Sequence, residues 1–185
     1  MLLQRVRESG RRDFDVRWRY FSLSQVNSQI EGWTLWGEPH PDADMRGRAS
    51  FMAAEAARRQ DGRFDAFHME LLRQRHELDL PIDDPEALRA AAEIAGLDLE
   101  RFERDRQDLS TLAALATDHE YAVSELGVFG TPTFVLPGGR SAYLRLRPAP
   151  QDPEEAVAVF DELLDLVGER PYVLEVKRPS KPAST

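Results

Sequence analysis

The segment GVFGTPTFV at positions 127–135, called the proline segment below, carries the clearest chemical signature of the sequence. It follows a long helical pattern and leads into an apolar run that predicts a strand. Pro132 fixes its own φ, keeps Thr131 out of the helical region and lowers the cost of a cis peptide to about 0.5–1 kcal/mol. Gly127 suits the position just after a helix, where φ is positive. The pattern therefore predicts an unusual backbone between a helix and a strand.

Reactive side chains are scarce. The chain contains no cysteine, so its 185 residues supply no thiolate nucleophile, no disulfide and no cysteine-based metal site. His68 and His76 are eight residues apart, about two helical turns, which is too far for one metal ion. The sequence has no His-Glu-X-X-His pattern. We predict no metal site and no catalytic side chain. We expect hydrogen-bonded or solvent-facing histidines, with a ligand or base as the alternative, at His40, His68, His76 and His119.

The composition is that of an acidic globular protein. The formal net charge of -9 argues against nucleic acid and anionic membrane surfaces as partners. Hydrophobic residues make up 42% and charged residues 31% of the chain, as expected for one domain or one domain with an insertion. No apolar run approaches the roughly 20 residues that span a bilayer, and the first residues are not a signal peptide. We therefore expect a cytoplasmic location.

The elements before the proline segment follow from periodicity. Residues 1–9 have the pattern of a short helix, and residues 14–20 alternate apolar with charged side chains, which predicts a half-buried strand. Residues 22–41 are irregular and include Trp33 and Trp36. These rings either form an aromatic wall beside a binding site or anchor the loop by their burial. A helical pattern then continues up to the proline segment.

The elements after the proline segment are a hairpin and a helix. A Pro-Gly-Gly turn separates the predicted strands, and Asp152 with Pro153 marks the start of the last helix. Residues 172–176 form a short extended stretch, followed by a polar tail that we expect to be disordered. The predicted parts are the start of one domain at 1–21, a loop and helical insertion at 22–126, the rest of the first domain at 127–176, and the tail at 177–185.

The order of these elements resembles the DsbA-like branch of the thioredoxin superfamily. Gly-Thr-Pro-Thr-Phe at 130–134 is similar to the cis-proline loop of that superfamily. The resemblance covers most of the chain, to about residue 176. Within the branch, the chain most resembles FrnE-type, 2-hydroxychromene-2-carboxylate isomerase-like and mycothiol-dependent proteins. The resemblance implies an α/β, thioredoxin-like fold with an inserted helical subdomain and without its first strand.

The resemblance also implies a binding segment and an activity. Gly130, Thr131 and Pro132 would bind substrate, with Thr131 offering backbone groups to an extended ligand. The alternative is that Pro132 only shapes a turn. The activity implied is thiol-dependent oxidoreduction, in which a helix dipole activates a thiolate at the start of the first helix. Implied partners are a low-molecular-weight thiol, glutathione or mycothiol, or an extended peptide, and a homodimer stays open.

Three serines and four arginines are weaker candidates for a catalytic or thiol-binding role than the proline segment. Three serines follow the predicted strand, whereas isomerase-like relatives carry their serine before the first helix, so that role does not transfer. Four arginines would either hold an anionic thiol or lie on solvated strand edges. The serines are Ser22, Ser24 and Ser28, and the arginines are Arg17, Arg19, Arg145 and Arg147.

The family pattern opens with a strand and Cys-X-X-Cys or a variant, and this sequence lacks both. Residues 14–20 then lose their parallel neighbour, and each buried unpaired backbone group costs about 1–3 kcal/mol. We expect an N-terminally truncated form of a longer protein; the alternative is a short protein that borrows a strand or rearranges its sheet. Three functions stay open: an oxidoreductase without its redox cysteine, a non-catalytic thiol- or peptide-binding module, and an isomerase-like enzyme that uses a thiol cofactor.

Overall fold

The computed structural model describes residues 2–146 and 148–176. This part of the chain is mostly helical, with one small antiparallel sheet of two strands. The helices are α1 (Leu2–Glu8), α2 (Leu23–Asn27), α3 (Arg48–Arg58), α4 (Phe64–His76), α5 (Pro85–Ile94), α6 (Leu99–Asp105), α7 (Leu112–Ser124) and α8 (Pro153–Leu164), and the strands are β1 (Thr133–Val135) and β2 (Ser141–Tyr143).

The chain divides into two compact units. The first unit is Asp15–Thr131, and the second unit combines Leu2–Phe14 with the chain from Pro132 onward. The domain boundaries predicted from the sequence stay a prediction.

Helix starts in the first unit follow the capping residues of the sequence. Asp84 accepts a hydrogen bond from the backbone N–H of Glu86 at 2.8 Å, and Pro85 occupies the first turn of α5. Asp98 accepts from the N–H of Arg101 at 3.0 Å and so caps α6. Asp84 and Asp98 therefore cap the starts of α5 and α6.

The core of the first unit lies among its helices and is centred on two phenylalanines. Phe67 of α4 and Phe102 of α6 are fully buried, with ring centroids 5.6 Å apart. The 22–41 region, which was predicted to be irregular, contains the short helix α2, and its residues Leu35 and Trp33 are buried in the same core. Burial of Trp33 anchors this region, as one of the two interpretations of its aromatic residues predicted.

The second unit packs α1 and α8 together with the hairpin. Its core is small and apolar, and Phe134 of β1 packs against it. The register pairs Thr133 with Tyr143 and Val135 with Ser141, so these four residues share the opposite face of the hairpin. The buried residues of this core are Leu2, Val6, Ala156, Val157 and Phe160.

The prediction of a strand at residues 14–20 is wrong. Burial alternates as expected, because Tyr20 is buried, Val16 and Trp18 are half-buried, and Arg17 and Arg19 are exposed. No described segment pairs with these residues, however, since the sheet consists of β1 and β2 alone in this part of the chain. A strand requires a hydrogen-bonded neighbour, so the side-chain pattern was predicted correctly and the pairing was not.

Candidate functional site

The proline segment begins with the predicted helix end. Gly127 adopts a φ of 62°, a conformation that costs glycine little because it has no Cβ. The N–H of Val128 donates back to the carbonyl of Ala122 in α7 at 2.9 Å. The glycine therefore ends the helix and turns the chain toward β1, as predicted.

The residues of the predicted binding segment differ in exposure. Gly130 is buried, whereas Thr131 and Pro132 are exposed. The carbonyl of Pro132 accepts a hydrogen bond from the N–H of Leu144 at 3.2 Å, which continues the ladder between β1 and β2. Among the residues that the structure describes, no hydrogen bond engages Thr131. Thr131 is thus an exposed residue without a hydrogen bond among the described residues, and it directly precedes a proline whose carbonyl the hairpin engages.

Two side chains of α7 bind the backbone that follows residue 19. The carboxylate of Asp118 accepts from the N–H of Tyr20 at 3.0 Å and also pairs with Arg19. Nδ1 of His119 accepts from the N–H of Ser22 at 3.1 Å. Residues two apart along an extended chain point their N–H groups to the same side, so α7 takes the place of a neighbouring strand here.

We expect Asp118→Ala to lower the free energy of unfolding by about 1–3 kcal/mol, because the N–H of Tyr20 loses its acceptor while buried. The matched control is Asp118→Asn, which keeps one carbonyl oxygen for the N–H of Tyr20 and loses the ion pair and the hydrogen bond with Arg19. Since Arg19 is partly exposed, the control should cost less than about 1 kcal/mol. Urea-induced unfolding measures both, and equal losses would contradict this role of Asp118.

Asp118 was not predicted as an anchoring residue, although its position in the helical pattern of α7 is a signal of such a role. Asp118 and His119 interrupt the buried face of α7, where Leu115 precedes them and Ala122 follows at helical spacing. Polar side chains on an otherwise apolar face need hydrogen-bond partners, which the backbone of the first unit supplies.

Two aromatic rings, those of Tyr20 and Phe64, contact the guanidinium of Arg58. Its guanidinium carbon lies 3.9 Å from the ring centroid of Phe64 and 5.2 Å from that of Tyr20. The hydroxyl of Tyr20 donates to Glu55 at 2.6 Å, and burial, followed by that hydrogen bond, raises the pKa of Tyr20. Tyr20 is therefore neutral at physiological pH.

His68 lies beside the same group of rings. It is stacked on Phe64, with ring centroids 5.6 Å apart, and contacts Trp18 at 4.4 Å. Burial lowers the pKa of His68 to about 4, so the ring is neutral near pH 7. It packs as a neutral aromatic ring against Trp18 and Phe64.

The metal-site, serine and arginine candidates from the sequence remain to be located in the structure. Within the described residues, no group of three or more acidic or histidine side chains could hold a metal ion. Ser22 caps α2 by accepting from the N–H of Gln25 at 3.0 Å, and Ser24 donates to Asp44 at 3.0 Å. Arg145 is exposed on the chain beyond β2. Arg147 lies outside the described residues, as do positions 177–185 of the predicted disordered tail.

Comparison with known proteins shows the family of the chain. The model of the DSBA-like thioredoxin domain matches residues 3–146, which include the proline segment and the hairpin. The chain therefore belongs to the family of DSBA-like thioredoxin domains. No curated protein matches the chain. Among the described residues, none of the helices is both long and apolar enough to cross a membrane.

Proposed function

We propose that this chain is a thiol-dependent oxidoreductase-type protein of the DSBA-like family whose own part in the reaction is to dock the substrate. The docking segment is Gly130, Thr131 and Pro132, and the ligand is a low-molecular-weight thiol or an extended peptide. The observation that carries the proposal is the exposed residue Thr131, whose backbone makes no hydrogen bond among the described residues, beside a proline whose carbonyl accepts from Leu144. An extended ligand pairs with such a backbone as it would with the edge of a sheet.

The thiol in this proposal belongs to the ligand. Thiol–disulfide exchange requires a thiolate that attacks a disulfide sulfur, and these 185 residues contain no cysteine. Glutathione and mycothiol are the two thiols that the resemblance implies. The proposal includes the FrnE-type, isomerase-like and mycothiol-dependent branch, since an isomerase-like member needs a thiol cofactor and no protein thiol.

A binding module without any chemistry is the second candidate. The absence of a cysteine favours it, because every step beyond binding then depends on the ligand. The two candidates share the docking segment and differ in turnover. Conversion of a substrate in the presence of added thiol supports the first candidate, and binding without conversion supports the second.

The docking test is a calorimetric titration of the full chain with glutathione, mycothiol and an extended peptide that contains a cysteine. Pro132→Ala should weaken binding at least tenfold, since alanine releases the fixed φ that presents Thr131. Pro137→Ala is the matched control, because Pro137 is also exposed and lies in the hairpin turn. It should leave the affinity unchanged.

A conservative change at the neighbouring position separates backbone from side-chain binding. Thr131→Val keeps the shape and the backbone of the residue but removes the hydroxyl. Its affinity should match that of the unmodified chain if the ligand pairs with the backbone of Thr131. Loss of binding in this variant, or full binding in Pro132→Ala, would contradict the proposed docking mode.

A further inference from the structure

Residues 15–19, here called the unpaired stretch, have backbone groups without hydrogen-bond partners. The N–H groups of Tyr20 and Ser22, just beyond the stretch, donate to side chains of α7. Within the described part of the chain, no backbone N–H or C=O group of residues 15–19 takes part in a hydrogen bond. The backbone of an extended segment normally pairs with a neighbouring strand, and an unpaired edge is a template for a further strand.

The side chains of the unpaired stretch lie on two distinct faces. Val16 and Trp18 are half-buried, whereas Asp15, Arg17 and Arg19 are exposed. This strict alternation is the pattern of a strand that rests one face on the protein. Among the described residues, neither Asp15 nor Arg17 makes a hydrogen bond or an ion pair. Their charges are therefore available to a partner.

The hydrogen bonds to α7 identify the free edge of the unpaired stretch. Residues two apart along an extended chain turn their backbone groups toward the same edge. Because the N–H of Tyr20 donates to Asp118, the even-numbered residues face the edge that α7 covers. The backbone groups of Asp15, Arg17 and Arg19 therefore point to the opposite, open edge.

The sequence around Val16 is complementary to itself. Residues 13–19 read Asp-Phe-Asp-Val-Arg-Trp-Arg, with two acidic residues before Val16 and two basic residues after it. When two copies run antiparallel with Val16 opposite Val16, every other cross-strand pair joins opposite charges or two aromatic rings, and both kinds of pair are favourable. The pairs are Asp15 with Arg17, Asp13 with Arg19, and Phe14 with Trp18.

Charge and burial together select this register over its neighbours. In every antiparallel register centred on another residue between 14 and 18, two like charges lie directly opposite each other, which is destabilising. A shift by a single residue places half-buried side chains opposite exposed ones. The register centred on Val16 avoids both penalties, so the occupant that the stretch fits best is a second copy of itself.

We propose that the unpaired stretch of one copy of this chain pairs, along its open edge, with the same stretch of a second copy as an antiparallel strand. Val16 lies on the two-fold axis, and the interface uses the same surface of both copies. The N–H of Asp15 donates to the carbonyl of Arg17 in the other copy, and the N–H of that Arg17 donates to the carbonyl of Asp15. This inference is independent of the proposed docking function.

The first experiment reverses one charge at a time and measures the dissociation constant of the dimer by sedimentation of the full chain, at concentrations up to the millimolar range. Asp15→Arg should raise the constant at least tenfold, because the new arginine lies opposite Arg17 of the other copy. Arg17→Asp should have the same effect, since two carboxylates then oppose each other. Asp61→Arg is the matched control and should leave the constant unchanged, because Asp61 is also exposed in the first unit and makes no interaction among the described residues.

A mixture of the two charge variants gives the sharper result. Asp15→Arg mixed with Arg17→Asp restores opposite charges across the pair, so a mixed dimer should form with an affinity close to that of the unmodified chain. A chain that carries both changes should dimerise as well. A monomeric unmodified chain, single variants that dimerise as tightly as the unmodified chain, or a mixture that does not associate would overturn the proposal.

A disulfide tests the position of the two-fold axis in a chain that has no native cysteine. Val16→Cys should form a disulfide-linked dimer under oxidising conditions, because the Cα atoms of directly opposed residues lie within the range that a disulfide spans. Asp13→Cys is the control, since the register holds the two copies of residue 13 six positions apart, about 20 Å along the strands. Equal yields from the two variants, or no linked dimer with Val16→Cys, would overturn the proposal.

Discussion

Phe67→Ala lowers the free energy of unfolding of the first unit by about 3–5 kcal/mol. Phe67 is fully buried, and its ring packs against that of Phe102 with centroids 5.6 Å apart. Removal of the ring loses the transfer free energy and leaves a cavity that close-packed helices refill only in part. Since a domain of this kind is stable by about 5–15 kcal/mol, the change removes a large share of the total.

Urea-induced unfolding followed by tryptophan fluorescence measures this loss. All three tryptophans, Trp18, Trp33 and Trp36, lie in the first unit, so the signal reports on the unit that carries Phe67. The matched control is Phe129→Ala, because Phe129 is 69% exposed and should cost less than about 1 kcal/mol. Similar losses in the two variants would contradict the burial described for Phe67.

The second large effect is on the pH dependence of stability and involves His68. Burial lowers the pKa of this histidine to about 4; Asp65 opposes the shift, and Arg58 adds to it. In the unfolded chain the pKa is about 6.5, so the unfolded state takes up a proton first as the pH falls. The stability is therefore fully present above about pH 6.5 and is lost between pH 6.5 and 4, by about 2–3 kcal/mol.

His68→Phe should remove most of this pH dependence. Phenylalanine keeps a ring against Trp18 and Phe64 and has no proton to take up. Unfolding of both proteins is measured at pH 7.5, 6.5 and 5.5, above the range in which most carboxylates titrate. Burial also lowers the pKa of His119 and of His76, so a smaller slope persists in the variant.

The control for the pH series is His40, a half-buried histidine that takes no part in the ring contacts of His68. His40 accepts a hydrogen bond from the N–H of Asp42 at 3.2 Å and lies in an irregular region of the first unit. His40→Asn is measured at the same three pH values, and His68→Phe should change the slope more than this control does. Equal slopes for His68→Phe and the unmodified chain would show that His68 is not buried as a neutral ring.

Local features of the fold were predictable from the sequence because their causes lie within a few residues. Asp84, Asp98 and Asp152 each accept hydrogen bonds from N–H groups two or three positions later, and all three mark helix starts. Gly127 ends α7 for an equally local reason, its positive φ. The hairpin also forms where two apolar runs flank a Pro-Gly-Gly turn.

The pairing of residues 14–20 was not predictable in the same way. Their alternation of apolar and charged side chains describes burial, and a strand also needs a neighbour that periodicity cannot supply. The acceptor for the N–H of Tyr20 is Asp118, which lies 98 positions later in α7. Periodicity along the sequence does not identify such a distant hydrogen-bond partner. The packing of α7 brings Asp118 to the N–H of Tyr20.

In the candidate site, too, the local backbone features were predictable from the sequence and the contacts between distant residues were not. The Gly-Thr-Pro sequence singled out Thr131 and Pro132, because proline restricts both its own backbone and that of the preceding residue. The hydrogen bond from Leu144 to the carbonyl of Pro132 joins residues on two strands, and the structure was needed to find it. The absence of a cysteine followed from the sequence alone and excludes a thiolate from these residues.

The most direct test of the proposed docking function is a nuclear magnetic resonance titration of the ¹⁵N-labelled full chain with reduced glutathione, mycothiol and an extended cysteine peptide. Proline has no amide proton, so the informative signals are the backbone amides of Gly130, Thr131 and Thr133. The proposal predicts that at least one ligand shifts these three amides most, and that Pro132→Ala needs at least tenfold more ligand to reach the same shifts. Shifts confined to other parts of the chain, or none with any of the three ligands at millimolar concentration, would contradict it.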